Sequence, residues 1–169
     1  MSAVHAPLTG GCLCGSVRYT IAFPPGRTYP PQRITCQCVQ CRKHSGALTV
    51  HLLCLHPSQI SWDTTTATTF QEFQSSPHCF RGFCTRCGSS MTWRKQQQQQ
   101  QQPGGEPEGE EKEAMIDIFT GTLDAVDATL ATPDEQLFCG NAVRGVTDCV
   151  AAGRKWVAMR GGEEWTGWD

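Results

Sequence analysis

The sequence lacks the features that mark membrane, secreted and nucleic-acid-binding proteins. No apolar run approaches the roughly 20 residues of a membrane-spanning helix, and residues 1–11, MSAVHAPLTGG, hold no apolar stretch typical of a secretory signal. The 14 basic and 16 acidic residues nearly balance, and no segment is strongly basic, whereas phosphate binding needs clustered lysine and arginine. We therefore expect a soluble, cytoplasmic protein whose main partner is neither a membrane nor a nucleic acid.

Helical patterns are also scarce in this chain, whose 169 residues are the size of one domain. A single helical turn is predicted at 40–44, ending at Gly46, and a second short turn near 123–130. Alternating and β-branched segments, joined by Gly- and Pro-rich connections, indicate a mainly β fold in one domain, 1–169. The predicted strands are 16–21, 47–53, 68–73, 90–94 and 115–120.

Residues 95–113 have no side chain that could join a hydrophobic core, since seven glutamines, Gln96 to Gln102, run into PGGEPEGEEKE. Such a segment buries too little surface to offset its loss of conformational entropy, so we expect a disordered insertion. The flanking strands end at Arg94 and begin at Met115, and we expect them to pair as a hairpin. A long loop is tolerable there because the cost of loop closure grows by only about 0.6 kcal/mol per doubling of length.

Eleven cysteines are the most informative residues of the chain. An odd number fits a disulfide framework poorly, and thiols stay reduced inside the cell, so closely spaced cysteines are better explained as metal ligands. The four solitary ones are interpreted as small buried residues: Cys54, Cys79, Cys139 and Cys149. The other seven form two pairs and a triplet: Cys12 and Cys14, Cys84 and Cys87, and Cys36, Cys38 and Cys41.

The spacing within these clusters predicts zinc, which prefers a tetrahedron of ligands with thiolates at about 2.3 Å. The two pairs supply four thiolates, enough for a closed structural site, and each pair is followed by a glycine, Gly15 or Gly88, that permits a tight turn. The triplet supplies three thiolates, which leaves a fourth position for water, a side chain or the thiolate of a ligand. A thiol bound there would be a nucleophile at neutral pH.

Three alternatives stay open for these clusters. In the first, His44, three residues after Cys41, completes a Cys₃His set, and both zinc sites are then structural. In the second, the pairs form a redox dithiol, although such motifs normally accompany a βαβ pattern that this sequence lacks. In the third, the triplet and one pair share their ligands in another combination.

Four segments of the sequence resemble, in order, the motifs of the glutathione-dependent formaldehyde-activating enzyme family, which also includes centromere protein V. They extend from residue 10 to about residue 124 and contain all seven clustered cysteines. The segments are GGCLCGSVRYTI, ITCQCVQCRKHSGA, RGFCTRCGSSMTWR and IDIFTGTLD.

This resemblance implies a zinc-stabilised β-tent fold of short antiparallel sheets with two zinc ions. The implied reaction adds the thiol of glutathione, or a related thiol, to formaldehyde or another small aldehyde and gives the S-hydroxymethyl adduct. Written in reverse, it is a carbon–sulfur lyase reaction. The implied ligands are Cys12, Cys14, Cys84 and Cys87 for a structural zinc, and Cys36, Cys38 and Cys41 for a catalytic zinc.

Three polar residues beside the triplet are candidates for roles in this reaction. His44 is the nearest group able to move a proton near pH 7. Arg42 and Lys43 are candidates to attract the carboxylates of glutathione; the alternative is that both are solvated surface charges.

The sequence departs from the family pattern at two places. Gln37 lies where the family usually has a histidine between two cysteines, and its amide cannot transfer a proton at neutral pH. Residues 133–137 lack the histidine of a P-x-x-H motif, and neither a role for 138–169 nor an oligomeric state is predicted. Two rivals to the enzyme follow: a non-catalytic zinc module that binds protein or chromatin, and an inactive two-zinc scaffold.

Overall fold

Short strands are the main regular secondary structure of the protein, whose computed structural model describes residues 5–63, 65, 69–96 and 114–168. The predicted insertion lies outside these residues from residue 97 onward. Two α-helices are described, α1 (Val39–Ser45) and α2 (Ala128–Ala131). The strands are β1 (Leu8–Gly11), β2 (Arg18–Ile21), β3 (Gln32–Cys36), β4 (Val50–Leu55), β5 (Ile60–Trp62), β6 (Phe70–Ser76), β7 (Cys79–Cys84), β8 (Ser90–Lys95), β9 (Ile116–Phe119), β10 (Glu135–Leu137) and β11 (Arg154–Lys155).

The strands form two sheets. The large sheet has eight strands in the order β11-β10-β3-β4-β9-β8-β7-β6, and the small sheet has three in the order β1-β2-β5. All pairs are antiparallel except those that β10 makes with β3 and β11. The predicted mainly β fold is therefore confirmed. No helix in the described part of the chain is long and apolar enough to cross a membrane.

The sequence predicted five of the eleven described strands and missed the other six. The five predicted strands correspond to β2, β4, β6, β8 and β9, and β8 pairs with β9 as the expected hairpin, with Arg94 opposite Ile116. Helix α1 ends as predicted at Gly46, whose φ of 73° is left-handed. The missed strands are short, rich in glycine such as β1 (LTGG), or rich in cysteine such as β7 (CFRGFC).

Side chains of β4 alternate between two hydrophobic clusters, one on each face of the large sheet. Leu53 and Leu55 join the first cluster, together with residues of β2 and β5 from the small sheet. Leu52 and Cys54 join the second cluster, beside two cysteines of the triplet. Full burial of a leucine side chain stabilises the fold by about 2 kcal/mol, so both faces contribute to stability.

The C-terminal segment, residues 138–168, extends the large sheet and covers the second cluster. Strand β11 pairs with β10, and Trp156, directly after β11, is buried in that cluster. The Trp156 indole N–H donates to Glu135 Oε2 at 3.1 Å, and the Gln136 side chain donates to two carbonyls of the segment. The segment thus has a packing role that the sequence did not predict.

The solitary cysteines divide into buried and accessible ones. Cys54 and Cys139 are buried as expected, and Cys79 is half-buried. Cys149 is exposed, so its interpretation as a buried residue is wrong. It lies in a turn of the C-terminal segment, where its thiol donates to the Val146 carbonyl at 3.3 Å.

Asp117, in β9, is a buried carboxyl group with 7% of its surface exposed. Burial raises its pKa from 3.8 to about 6; the Cys54 thiol, which donates to the carboxylate, and the charge of Arg160 oppose this rise. Because the pKa in the folded chain lies above that in the unfolded chain, the folded chain binds the proton more tightly. The stability that the protonated group contributes is complete below the unfolded pKa and is lost as the pH rises through about 6.

Replacing Asp117 by asparagine, which is neutral and of similar shape, should remove that loss. As the pH rises from about 4 to about 8, we expect the unfolding free energy of Asp117→Asn to increase relative to that of the wild type by on the order of 2 to 3 kcal/mol. Urea unfolding at several pH values measures this difference. Asp124→Asn is the control: because Arg18 lowers the pKa of that carboxyl to about 2, its difference from the wild type should stay constant from about pH 4 to pH 8 and change, in the opposite sense, only between about pH 4 and pH 2. Parallel pH curves for Asp117→Asn and the wild type would contradict the assignment.

Candidate metal centres

The two cysteine pairs come together in space and form the pair site, which consists of Cys12, Cys14, Cys84 and Cys87. The first pair lies in the turn between β1 and β2, and the second lies at the turn between β7 and β8. All four sulfurs lie within 4.8 Å of one another, and Cys14 Sγ is 3.5 Å from Cys12 Sγ and 3.9 Å from Cys84 Sγ. Thiolates at the corners of a zinc tetrahedron are about 3.8 Å apart, so the pair site fits a zinc ion.

Both turns of the pair site are closed by the predicted glycines. Gly15 has φ 74° and donates to the Cys12 carbonyl at 3.0 Å, and Gly88 has φ 76° and donates to the Cys84 carbonyl at 2.8 Å. A Cβ at either position would meet nothing within 4 Å, so space is not the constraint. Glycine is favoured there because the backbone is left-handed. The two turns belong to different sheets, so an ion at the pair site would cross-link the small sheet to the large one.

The triplet of Cys36, Cys38 and Cys41 is assembled where β3 ends and α1 begins. Cys36 is the last residue of β3, Cys41 lies in α1, and Cys38 caps α1 by accepting from the Cys41 N–H at 3.3 Å. The three sulfurs lie within 4.8 Å of one another, and no further His, Cys, Asp or Glu among the described residues joins them. His44 is thus outside this group, and the sulfurs divide into four and three.

Within the triplet, Cys38 is the thiol most readily deprotonated. Hydrogen bonds from the Cys36 and Cys41 thiols lower its pKa, and it is the least buried of the three. The same contacts, together with burial, raise the pKa of Cys36. The donor chemistry of the triplet, three soft sulfurs within reach of one ion, fits zinc with one ligand position left.

Arg81, for which the sequence motifs predict no role, lies against the triplet. Arg81 is in β7, only 2% exposed, and both of its terminal nitrogens donate to Cys41 Sγ, at 3.5 and 3.6 Å. Its Nε donates to Ser75 Oγ at 3.1 Å, and one terminal nitrogen also donates to Gln40 Oε1 at 3.4 Å. Among the described residues, no carboxylate forms a salt bridge with Arg81. A charged residue inside the apolar strand CFRGFC was the available signal.

Alternation along β7 lets one strand contribute to both metal centres. Cys84 packs in the first cluster and joins the pair site, whereas Arg81 contacts α1 and the triplet. Between them, Gly82 is required because a Cβ there would collide with Thr92 Oγ1 and the ring of Phe70. The RGFC motif therefore combines a triplet contact, a close packing position and a pair-site ligand.

His44 lies three residues beyond Cys41 on α1 and is half-buried between aromatic rings. Its ring centroid is 5.6 Å from that of Phe119 and 5.8 Å from that of Phe73. Burial, together with the positive charge of Arg81, lowers its pKa to about 4. Its Nε2 is buried without a hydrogen-bond partner among the described residues. His44 is therefore neutral at pH 7.

The two predicted carboxylate-binding residues, Arg42 and Lys43, lie in the last turn of α1. Arg42 is half-buried, Lys43 is exposed, and neither forms a salt bridge with a described residue. Both cations thus lie on the short helix that carries Cys41.

Gln37 is 1% exposed, and its side chain is bound to the C-terminal segment. Its Oε1 accepts from the Thr147 hydroxyl at 2.5 Å, and its Nε2 donates to the Thr147 carbonyl at 3.3 Å. The backbone N–H of Gln37 donates to the Leu137 carbonyl at 3.1 Å. The residue that departs from the family pattern therefore attaches the segment after β10 to the chain between Cys36 and Cys38.

The chain is similar to a solved structure and to one protein family. A crystal structure of a Rhodobacter sphaeroides protein, a structural genomics target, is similar to 71% of this chain and 91% of that chain, with 18% sequence identity and a TM-score of 0.48. No curated protein matches the sequence. The family model described as glutathione-dependent formaldehyde-activating enzyme matches residues 7–141, which include both cysteine clusters. The chain therefore belongs to the glutathione-dependent formaldehyde-activating enzyme family.

Proposed function

We propose that this chain is a zinc-dependent carbon–sulfur lyase that adds glutathione to formaldehyde at the triplet. The observation that carries the proposal is a group of three sulfurs that no fourth His, Cys, Asp or Glu of the described residues completes, with Cys38 only half-buried. Closed structural zinc sites have four protein ligands, whereas catalytic sites keep one position open. The family supports glutathione and formaldehyde as the substrates.

Zinc suits both sulfur groups, since soft thiolates in a tetrahedral arrangement favour it over harder cations. The pair site would hold a structural ion, and the triplet would hold the second ion. Bound at the triplet, zinc would lower the pKa of a thiol in its remaining position, so that glutathione reacts as a thiolate near neutral pH.

The addition needs a proton carrier and a binding site for carboxylates, and it involves no oxidation. The glutathione sulfur forms a bond to the aldehyde carbon, the carbonyl electron pair moves to oxygen, and the proton lost by the thiol ends on that oxygen. His44 is our candidate carrier: it is neutral at pH 7, and with a pKa of about 4 it releases a proton readily after accepting it. Arg42 and Lys43 are our candidates to hold the carboxylates of glutathione.

The first test is adduct formation. Zinc-loaded protein mixed with glutathione and formaldehyde should form the S-hydroxymethyl adduct faster than the spontaneous reaction, as followed by NMR. Cys38→Ser should lose this excess rate because it removes a triplet ligand, whereas Cys149→Ser, at an exposed solitary thiol, should keep it. A wild-type protein with two zinc ions per chain and no excess rate would reject the proposed reaction.

The second test separates the two ions by their accessibility. We expect a mild chelator to remove one zinc quickly from the triplet and the other slowly from the pair site, because only the pair site has four protein ligands. Cys38→Ser should retain one zinc and its thermal transition. Cys87→Ser should melt at a lower temperature, since structural zinc binding contributes to folding. Two zinc ions that leave at the same slow rate would favour an inactive scaffold.

The third test concerns the cations of α1. The double variant Arg42→Ala/Lys43→Ala should raise the KM for glutathione roughly two- to tenfold and leave kcat unchanged, because exposed ion pairs contribute about 0.2 to 1 kcal/mol each. The effect should shrink at high salt. Lys95→Ala, which removes an exposed cation of β8, is the matched control. An unchanged KM at low salt would show that Arg42 and Lys43 are surface charges only.

A further inference from the structure

Arg81 is a buried cation, and the neighbouring group that can balance its positive charge is the sulfur of Cys41. Removing a guanidinium from water carries a large free-energy cost unless a negative charge lies beside it. The side chain is 2% exposed, and its contacts with Ser75 and Gln40 involve neutral oxygens. Cys41 is the contact that can carry a negative charge. As a ligand of the proposed zinc at the triplet, Cys41 would place a negatively charged sulfur against this guanidinium.

The pair site and the triplet differ in whether a cation donates hydrogen bonds to their sulfurs. No arginine or lysine of the described residues donates a hydrogen bond to a sulfur of the pair site. The guanidinium of Arg86, between Cys84 and Cys87 in the sequence, donates instead to Ser16 Oγ at 3.1 Å. The triplet instead receives two N–H groups from one buried guanidinium. A buried positive charge is thus specific to the centre that has a ligand position left.

We infer that Arg81 is the counter-ion of the triplet and that its charge enables the triplet to accept a fourth, anionic sulfur ligand from the substrate. This inference rests on the proposed function. Three thiolates around a divalent ion carry one net negative charge, which Arg81 neutralises. A substrate thiolate then enters a neutral environment. Without Arg81 the thiolate would approach a centre of its own sign, and its binding would weaken.

The geometry also explains why the residue is arginine. Its planar group directs two N–H donors to one sulfur while a third holds Ser75. A lysine there would keep the charge without this two-donor contact. Arg81 thereby acts through Cys41 as a positioning residue and does not itself need to touch the substrate. Burial is the main cause of the low pKa of His44, and the positive charge of Arg81 lowers that pKa further. The field of Arg81 therefore reaches the candidate proton carrier on α1.

Cobalt-loaded protein provides the test and needs no formaldehyde. Thiolate-to-cobalt absorption arises at both centres, but the pair site already has four protein ligands, so a change of the absorption with glutathione reports the triplet. Each protein is titrated first with Co²⁺ and then with glutathione. S-methylglutathione, which has the same carboxylates and no thiol, separates binding through sulfur from binding through charge. The variants are Arg81→Met and Arg81→Gln, which remove the charge, and Arg81→Lys, which keeps it. Arg94→Gln is the matched control, since Arg94 pairs with Glu72 on the same sheet at 2.6 Å.

In the wild type we expect glutathione, and not S-methylglutathione, to change the absorption. In Arg81→Met and Arg81→Gln, affinity for the second metal should fall about 10- to 100-fold, the usual effect of removing a group that supports a metal ligand. At saturating Co²⁺ the Kd for glutathione should still rise at least about tenfold, on the same principle. Arg81→Lys should have a shifted absorption and near wild-type affinity for glutathione, and Arg94→Gln should match the wild type.

The inference is overturned if a neutral Arg81 variant binds Co²⁺ and glutathione as the wild type does, or if the wild type shows no response to glutathione. Should neither neutral variant fold, Arg81→Lys decides: an absorption identical to that of the wild type would exclude the contact with Cys41. Arg81-dependent binding of glutathione without any turnover of formaldehyde would keep the inference and reject the proposed reaction.

Discussion

Closely packed thiolates repel one another, and this repulsion is the constraint on which the rest of the structure depends. Seven sulfurs lie in two groups, each within 4.8 Å, and such groups are stable only when positive charge lies among or beside them. The pair site has the spacing of a zinc tetrahedron, and a zinc ion there would supply that charge. At the triplet, the buried guanidinium of Arg81 adds a charge from the protein itself.

The small sheet shows what the pair site contributes to the fold. Its three strands have only three or four residues each, too few for independent stability. It is attached to the large sheet through the first hydrophobic cluster, a salt bridge between Arg18 and Asp124, and the turn of the pair site. The pair site thus joins two layers that pack across one core, and a structural metal there would stabilise the whole domain.

The grouping of sulfurs within each pair and within the triplet was predictable because it depends on local spacing: a turn of two or three residues brings its own sulfurs together, and a following glycine permits the backbone to close. That the two pairs meet each other, 70 residues apart, was implied only by the family resemblance. The alternating strands and the end of α1 at Gly46 were predictable for similar local reasons. The contact between Arg81 and Cys41 was not, because it joins residues 40 apart through the register of β7. The low pKa of His44 also depends on packing against distant strands, which its own segment does not encode.

Gln37 connects two features that appeared separate in the sequence, the missing family histidine and the segment beyond the family match at residue 141. The amide of Gln37 donates through its NH₂ group and accepts through its oxygen at any pH, so it binds both the hydroxyl and the carbonyl of Thr147. A histidine there would gain a positive charge on acidification, between the triplet residues Cys36 and Cys38. Exchanging a titratable ring for an amide therefore fixes the C-terminal segment over the second cluster while leaving the charge balance of the triplet to Arg81. In the proposed reaction, the candidate proton carrier is then His44, the imidazole of α1.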